Sequence, residues 1–313
     1  MSLFYRLADI ALAPVVAIAS LPMKLVRKRP MRMLPMTASV FRKMGIFPIT
    51  GHYYEPLYDM SGLDLSGAPR DLPGIDFALK KQTDLLAKFD ASDMPEGLEK
   101  SASDDIQYSL QNRNFGAGDA DLWYNVIRHF KPARVIEIGS GHSTRVARLA
   151  IAKNADEASD YSCQHICIEP YEMSWLEKLG IEIKRKKLED IDLGIFDMLK
   201  RNDILFIDSS HMIRPGGEVL IEFLQILPRL KPGVIVHVHD IFSPRDYPAR
   251  WLKEPRFWNE QYLLEAFLSH NDDWRILLAG NYLAHAAPDE MEAACRYFKA
   301  GSHEPGSFYM IRN

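Results

Sequence analysis

From about Asp104 onward, short β-branched runs alternate with longer stretches of helical period, the alternation that predicts a parallel sheet covered on both faces. Five runs, Arg134–Glu137, Gln164–Glu169, Ile181–Lys184, Asp203–Asp208 and Val234–His239, are largely apolar, as strands buried on both sides should be. Between them, Thr144–Lys153 places Val146, Leu149, Ala150 and Ala152 near helical spacing. Val219–Leu230 is apolar almost all round until Lys231-Pro-Gly233 stops it. A helix near Glu260–Leu268 leads to two further runs of strand character, Trp274–Leu278 and Ser307–Arg312, with a helix-poor loop between them. The pattern predicts an α/β fold with a doubly wound, Rossmann-like sheet.

The preceding residues follow no such pattern. Residues 34–103 are rich in Pro, Gly and Asp and predict ordered turns around one helix near Phe77–Phe89, an N-terminal cap on the domain at 104–313. Residues 1–33 form an apolar and basic N-terminal segment. Its apolar stretch, Ile10–Leu21, is 12 residues long and interrupted by Pro14. That is short of the roughly 20 a spanning helix requires. Ala17-Ile-Ala19 has the shape of a signal-peptidase step, but only Arg6 precedes it and the basic cluster follows it, so the segment reads as retained.

With 313 residues and 47% hydrophobic content, the chain can bury a large core. Three cysteines leave one unpaired and suit a reducing, cytoplasmic location. The net charge of −4 is unevenly spread: residues 1–43 hold eight basic residues against Asp9, leaving −11 on the remainder. An acidic body without a basic stripe argues against nucleic acid as a partner. The basic N-terminus suggests peripheral contact with anionic lipid on the inner face of the membrane, through residues 1–33.

Candidate chemistry begins where the first strand meets a helix. The turn from Glu137 through Gly139, Ser140 and Gly141 to Ser143 lets backbone approach a ligand closely, and the helix start supplies unpaired N–H groups. Glu169 closes the second strand, where a carboxylate can accept both ribose hydroxyls of an adenosine-containing cofactor. Glu189, after the third strand, is placed to flank an adenine edge. Cys163, His165 and Cys167 share a strand face by period two; lacking a second Cys pair, they read as core. His237, further from its strand end than His239, reads as structural.

Three long stretches carry a resemblance: Val135-Ile-Glu-Ile-Gly-Ser-Gly-His-Ser-Thr144, Asp203-Ile-Leu-Phe-Ile-Asp-Ser-Ser-His211 and Leu227–Phe242. With Phe257–Tyr262, they make residues 110–285 resemble class I methyltransferases dependent on S-adenosylmethionine, and among them the bacterial methyltransferase family 24, some of whose members are associated with polysaccharide gene clusters. The resemblance implies a seven-stranded sheet, parallel except for one antiparallel strand near the C-terminus. It also implies S-adenosylmethionine as cofactor. A departure is Ser143, where the family's third glycine would stand, and this disfavours NAD(P).

Residues beyond strands four and five face the reactive end of a cofactor bound at such a sheet, which singles out Asp208, His211, His239 and Asp240. Transfer to a hydroxyl needs somewhere for the acceptor's proton to go, and an imidazole suits that task. His211 is the expected general base, with Asp208 beside it. Its position resembles that of the catalytic base, a Lys, in metal-dependent catechol-type methyltransferases. Asp208 and Asp240, with His239, are the expected ligands of Mg2+ or another divalent cation. In the loop after strand five, Tyr247, Trp251 and Trp258 could stack on a small-molecule or glycan acceptor. The expected function is O-methylation of a sugar or similar metabolite. An NAD(P)-dependent oxidoreductase and a non-catalytic cofactor-binding scaffold in polysaccharide assembly are the alternatives.

Overall fold

A computed structural model describes residues 3–171, 173–254 and 256–313. The chain divides into two compact units, one of Met1–Asp64 with Lys253–Phe257 and one of Leu65–Leu252 with Trp258–Asn313.

The larger unit is built on seven strands: β1 (Arg134–Ile138), β2 (Gln164–Ile168), β3 (Glu182–Lys184), β4 (Ile204–Ile207), β5 (Ile235–Val238), β6 (Trp274–Ala279) and β7 (Phe308–Arg312). Their order is β3-β2-β1-β4-β5-β7-β6. The first five pair in parallel, while β7 runs antiparallel to both β5 and β6. β1 therefore lies centrally, and the order reverses there, so that a crevice opens where the chain leaves β1 and β4. Period two decides which side chains face which layer. Val135, Ile204, Phe206 and Ile235 enter one core with Trp123 and Tyr309; Ile136, Ile138, Leu205, Ile207 and Val236 enter the other with Phe223 and Leu227.

Helical expectations hold with different bounds. The helix after β1 runs from His142 to Glu157, and Val219–Leu230 becomes a helical stretch beginning at Glu218 whose turn widens over Glu222–Ile226. The interval between β6 and β7, expected to be helix-poor, instead holds two seven-residue helices, Gly280–Ala286 and Pro288–Ala294. Each is too short to show its period clearly, and both are held by the core through Leu283 and Met291.

In the smaller unit, α1 (Leu3–Arg27) has 25 residues and α2 (Pro35–Met44) has 10. Arg27 pairs with Glu55 and stacks 4.9 Å from the centre of the Phe47 ring. α1 revises the expectation of a short apolar segment. Pro14 and Pro22 lie inside it without ending it, and it buries none of its residues. Its most apolar 18-residue window has a mean hydropathy of 1.7, so by length and composition alone it could cross a membrane.

The expected boundary at residue 103 does not coincide with the division between units. Residues 65–103 belong to the sheet-bearing unit because their polar and apolar side chains are built into it. In α3 (Leu79–Leu86), Leu85 and Leu86 enter the core. Arg70 pairs with Glu265, and Asp93 takes a 2.5 Å bond from Arg128. Gln82 is fully buried: its carbonyl oxygen accepts from the Ala279 N–H at 2.7 Å, and its amide donates to the Phe77 carbonyl. Gln82→Ala strands both partners, and about 1–3 kcal/mol of stability should be lost in urea denaturation of the full chain.

Candidate active site

β1 ends at Ile138, and the chain then passes between two neighbouring strand ends: Gly139 donates to the Ile168 carbonyl at 3.0 Å and Asp208 to that of Ile138 at 2.9 Å. Gly139 has φ +80°, and a Cβ there would lie 2.0 Å from the Asp208 carbonyl oxygen. Only glycine satisfies both conditions. The turn is braced from below, where the Thr144 hydroxyl accepts from the Gly141 N–H at 3.1 Å and donates to Glu137 at 2.5 Å. Glu137 is wholly buried, with His165 Nε2 at 3.1 Å and Cys167 Sγ at 3.7 Å. His165 and Cys167 thus meet a carboxylate of the neighbouring strand and complete the brace.

Beside the turn is a cavity of about 280 Å³ lined by Gly139, Glu169, Tyr171, Leu188, Glu189, Asp208 and Arg214 among others. Four of the expected cofactor residues, Gly139, Glu169, Glu189 and Asp208, therefore share one space. Glu169 is held in position by the backbone: Ser140 N–H donates to one oxygen at 3.2 Å and Tyr171 N–H to the other at 3.0 Å. Glu137, Ser140, Gly141 and Ser143 are not in the lining. Glu137 and Ser143 are buried beneath the turn, the Ser143 carbonyl accepting from Trp123 Nε1 at 3.1 Å. Period two pointed Glu137 into the sheet, and the turn geometry closes over it.

A second cluster forms within four residues of the ends of β4 and β5. His211 Nε2 lies 3.3 Å from Asp208 and 3.5 Å from Asp240, while Nδ1 faces Glu260 at 2.8 Å. His239 Nδ1 stands 3.5 Å from Asp208 and 3.6 Å from Asp240, its Nε2 3.7 Å from Asp119. Both imidazoles are buried. His211 and Asp240 have φ of +58° and +57°, a region costly for residues with a side chain and concentrated at functional sites.

Burial by itself would drive the proton off His211, but the bonds to Asp208 and Glu260 outweigh it and raise the imidazole to about 10. Burial likewise disfavours charge on His239, and Asp240 and Asp208 overcome it, raising that group well above its ordinary value. Asp208, although desolvated, is held below the ordinary carboxylate range by His239 and His211. Burial pushes Asp240 up. His237 lies deeper, stacked 4.1 Å from Tyr309, and burial keeps it neutral.

The three aromatic side chains expected to face an acceptor part company. Tyr247 is buried, its hydroxyl accepting from the Gln261 N–H at 3.1 Å, so it anchors the loop and offers no stacking face. Trp258 lies 4.4 Å from the His211 ring, and Trp251 packs 4.9 Å from Trp258. Sequence reasoning gave no role to Glu260 or Asp119. Glu260 opens a helix 49 residues beyond His211, and Asp119 opens α4 (Asp119–Phe130), where one oxygen accepts from the Gly306 and Ser307 N–H groups and the Ser307 hydroxyl. No local spacing signals either. Arg214 and Tyr171, also unassigned, sit close after strand ends and could have been sought there.

Residues 136–241 match the model of a methyltransferase domain family. The chain is 28% identical over 184 residues to an uncharacterized protein of Archaeoglobus fulgidus, a match covering 53% of this chain and 80% of that one. It is similar to the O-methyltransferase TomG of Streptomyces achromogenes, involved in tomaymycin synthesis and solved with SAM, at 16% identity and a TM-score of 0.40, covering 78% of this chain and 92% of that one. It is also similar to an O-methyltransferase of Bacillus cereus solved with SAH, at 14% identity and a TM-score of 0.37, covering 76% and 91%. The family match spans the glycine turn, the cavity and the ends of β4 and β5, so this part of the chain is similar to a methyltransferase domain.

Proposed function

We propose that the protein is a class I, S-adenosylmethionine-dependent enzyme that methylates a hydroxyl group of a sugar or similar metabolite, with Asp208, His211 and Asp240 as its reaction centre. The observation that carries this reading is the convergence of those three side chains, whose ligand-type atoms all lie within 4.8 Å of one another. They stand at the strand ends that a cofactor's reactive end reaches from the cavity beside Gly139.

The cavity fits the cofactor by its glycine cradle and its oriented carboxylate. S-adenosylmethionine, when bound, supplies an electrophilic methyl group on a sulfonium. Glu169 would accept its ribose hydroxyls, Leu188 and Glu189 would flank the adenine, and Asp208, which lines the cavity and the cluster alike, would face its amine. Mixed oxygen and nitrogen donors, with two carboxylates, also fit a hard divalent cation such as Mg2+. Asp208, Asp240 and His211 Nε2 would hold it, and an ion so placed would polarise an acceptor hydroxyl and lower its pKa, so that its proton could leave to water. His239, the ligand suggested by sequence, is the neighbour of both carboxylates, but His211 completes the compact set. Glu260 then acts on His211 Nδ1 as an orienting carboxylate, the arrangement usual for a ligating imidazole.

A second reading keeps His211 as general base, and the 2.8 Å bond that fixes its ring favours it. Against it stands the protonation state. Base and ligand alike need an unprotonated Nε2; the bonds to Asp208 and Glu260 favour the protonated ring, and a cation between Asp208 and Asp240 is what would displace that proton. Peripheral contact of residues 1–33 with the inner face of the membrane, and a cytoplasmic location, belong to the same proposal.

Three measurements test it. In excess chelator, turnover should fall to background and return on addition of Mg2+; full turnover in chelator would leave His211 as base and remove the cation. His211→Gln should lower turnover by about 100-fold or more while S-adenosylhomocysteine affinity stays within about twofold. Gly139→Ala should weaken S-adenosylhomocysteine binding by more than about tenfold in equilibrium dialysis, and NAD(P) should not bind either form.

A further inference from the structure

We propose that α1 lies in the plane of an anionic bilayer, its apolar face inserted beneath the head groups and a narrow polar stripe level with them. The inference rests on the membrane contact proposed above and specifies its mode and its partner.

At 100° per residue, Arg6, Asp9, Ser20, Lys24 and Arg27 fall within one sector of about 60°. The middle of that stripe is completed by Ala13, which is small. Leu3, Leu7, Ile10, Val15, Ile18, Leu21 and Leu25 occupy an arc of about 140° on the other side, and each is more than half exposed. The polar residues toward both ends of α1 thus lie on one side of the helix, the side that an interfacial helix turns to the head groups. A spanning α1 would carry Asp9 or Lys24 into the hydrocarbon core. The charge-free stretch Ile10–Met23 has 14 residues, about 21 Å of helix against a hydrocarbon core of about 30 Å.

The partner follows from charge. Lys24, Lys28, Arg29 and Arg32 succeed one another at the end of α1, with no acidic residue between Asp9 and Glu55. Head groups of phosphatidylglycerol type complement this cluster, and zwitterionic ones do not. α2 offers a second apolar edge: Met36, Val40 and Met44, spaced four apart, are all exposed.

The test is flotation of the purified full chain with vesicles of phosphatidylcholine alone or with 30% phosphatidylglycerol, about the anionic share that separates the two partners. Binding should be more than about tenfold stronger to the anionic vesicles. Ala13→Lys places a charge in the stripe and should retain binding; Ile18→Lys places it on the opposite side and should abolish binding. Loss with both variants would overturn the in-plane mode in favour of a spanning helix. Retention with both would overturn insertion of the apolar face, and no binding by the unaltered chain would overturn the membrane contact itself. Binding of S-adenosylhomocysteine, measured on the same samples, should be unchanged in both variants and reports separately on the methyltransferase reading.

Discussion

Two carboxylates facing two imidazoles at the ends of adjacent strands set the terms for the rest of the larger unit. Removing such groups from water is expensive, and the cost is recovered only when each charge has a fixed partner. Asp208 and Asp240 serve the imidazoles from one side; Glu260 and Asp119 hold them from the other. Those two distant acids are fixed in turn by helix starts, and Asp119 by the backbone entering β7. Sheet order, the helix at Glu260 and the C-terminal strand thus share one electrostatic purpose.

The glycine turn is linked to that cluster through backbone. Gly139 approaches the Asp208 carbonyl so closely that a side chain cannot intervene, and Asp208 contributes to both the cavity and the charged cluster. Beneath the turn, Glu137, Thr144, His165 and Cys167 satisfy one another. A buried polar brace of this kind stiffens the turn because each member is costly to leave unpaired.

The protonation of His211 ties the role of the residue to what surrounds it. Partners that orient an imidazole also raise its affinity for a proton, so the features that make His211 look like a catalytic base hold it in the wrong state for one. A cation between Asp208 and Asp240 would offset the same charges, the condition under which the proposed ligation by His211 leaves its Nε2 unprotonated.

The alternation of β-branched runs and helical periods was enough to establish the α/β class, the seven strand-forming segments and the places where chain leaves β1, β2, β4 and β5. Gly139, Glu169, Glu189 and Asp208 were legible there because a strand-end position is a local property of sequence. Other features needed the folded chain. Glu137 sits two residues before Gly139 yet is sealed beneath the turn; Tyr247 belongs to an aromatic loop yet anchors it; residues 65–103 read as a cap yet contribute Gln82 to the end of β6. The helices between β6 and β7, seven residues each, are too short for their period to stand out from loop. Glu260 and Asp119 reach the cluster from 49 and 120 positions away from His211 and His239 respectively, and pairing across such separations is decided by packing. A sequence displays which residue types stand at strand ends, but which side chains meet across them is a property of the tertiary structure, because burial and close approach depend on elements that arrive from elsewhere in the chain.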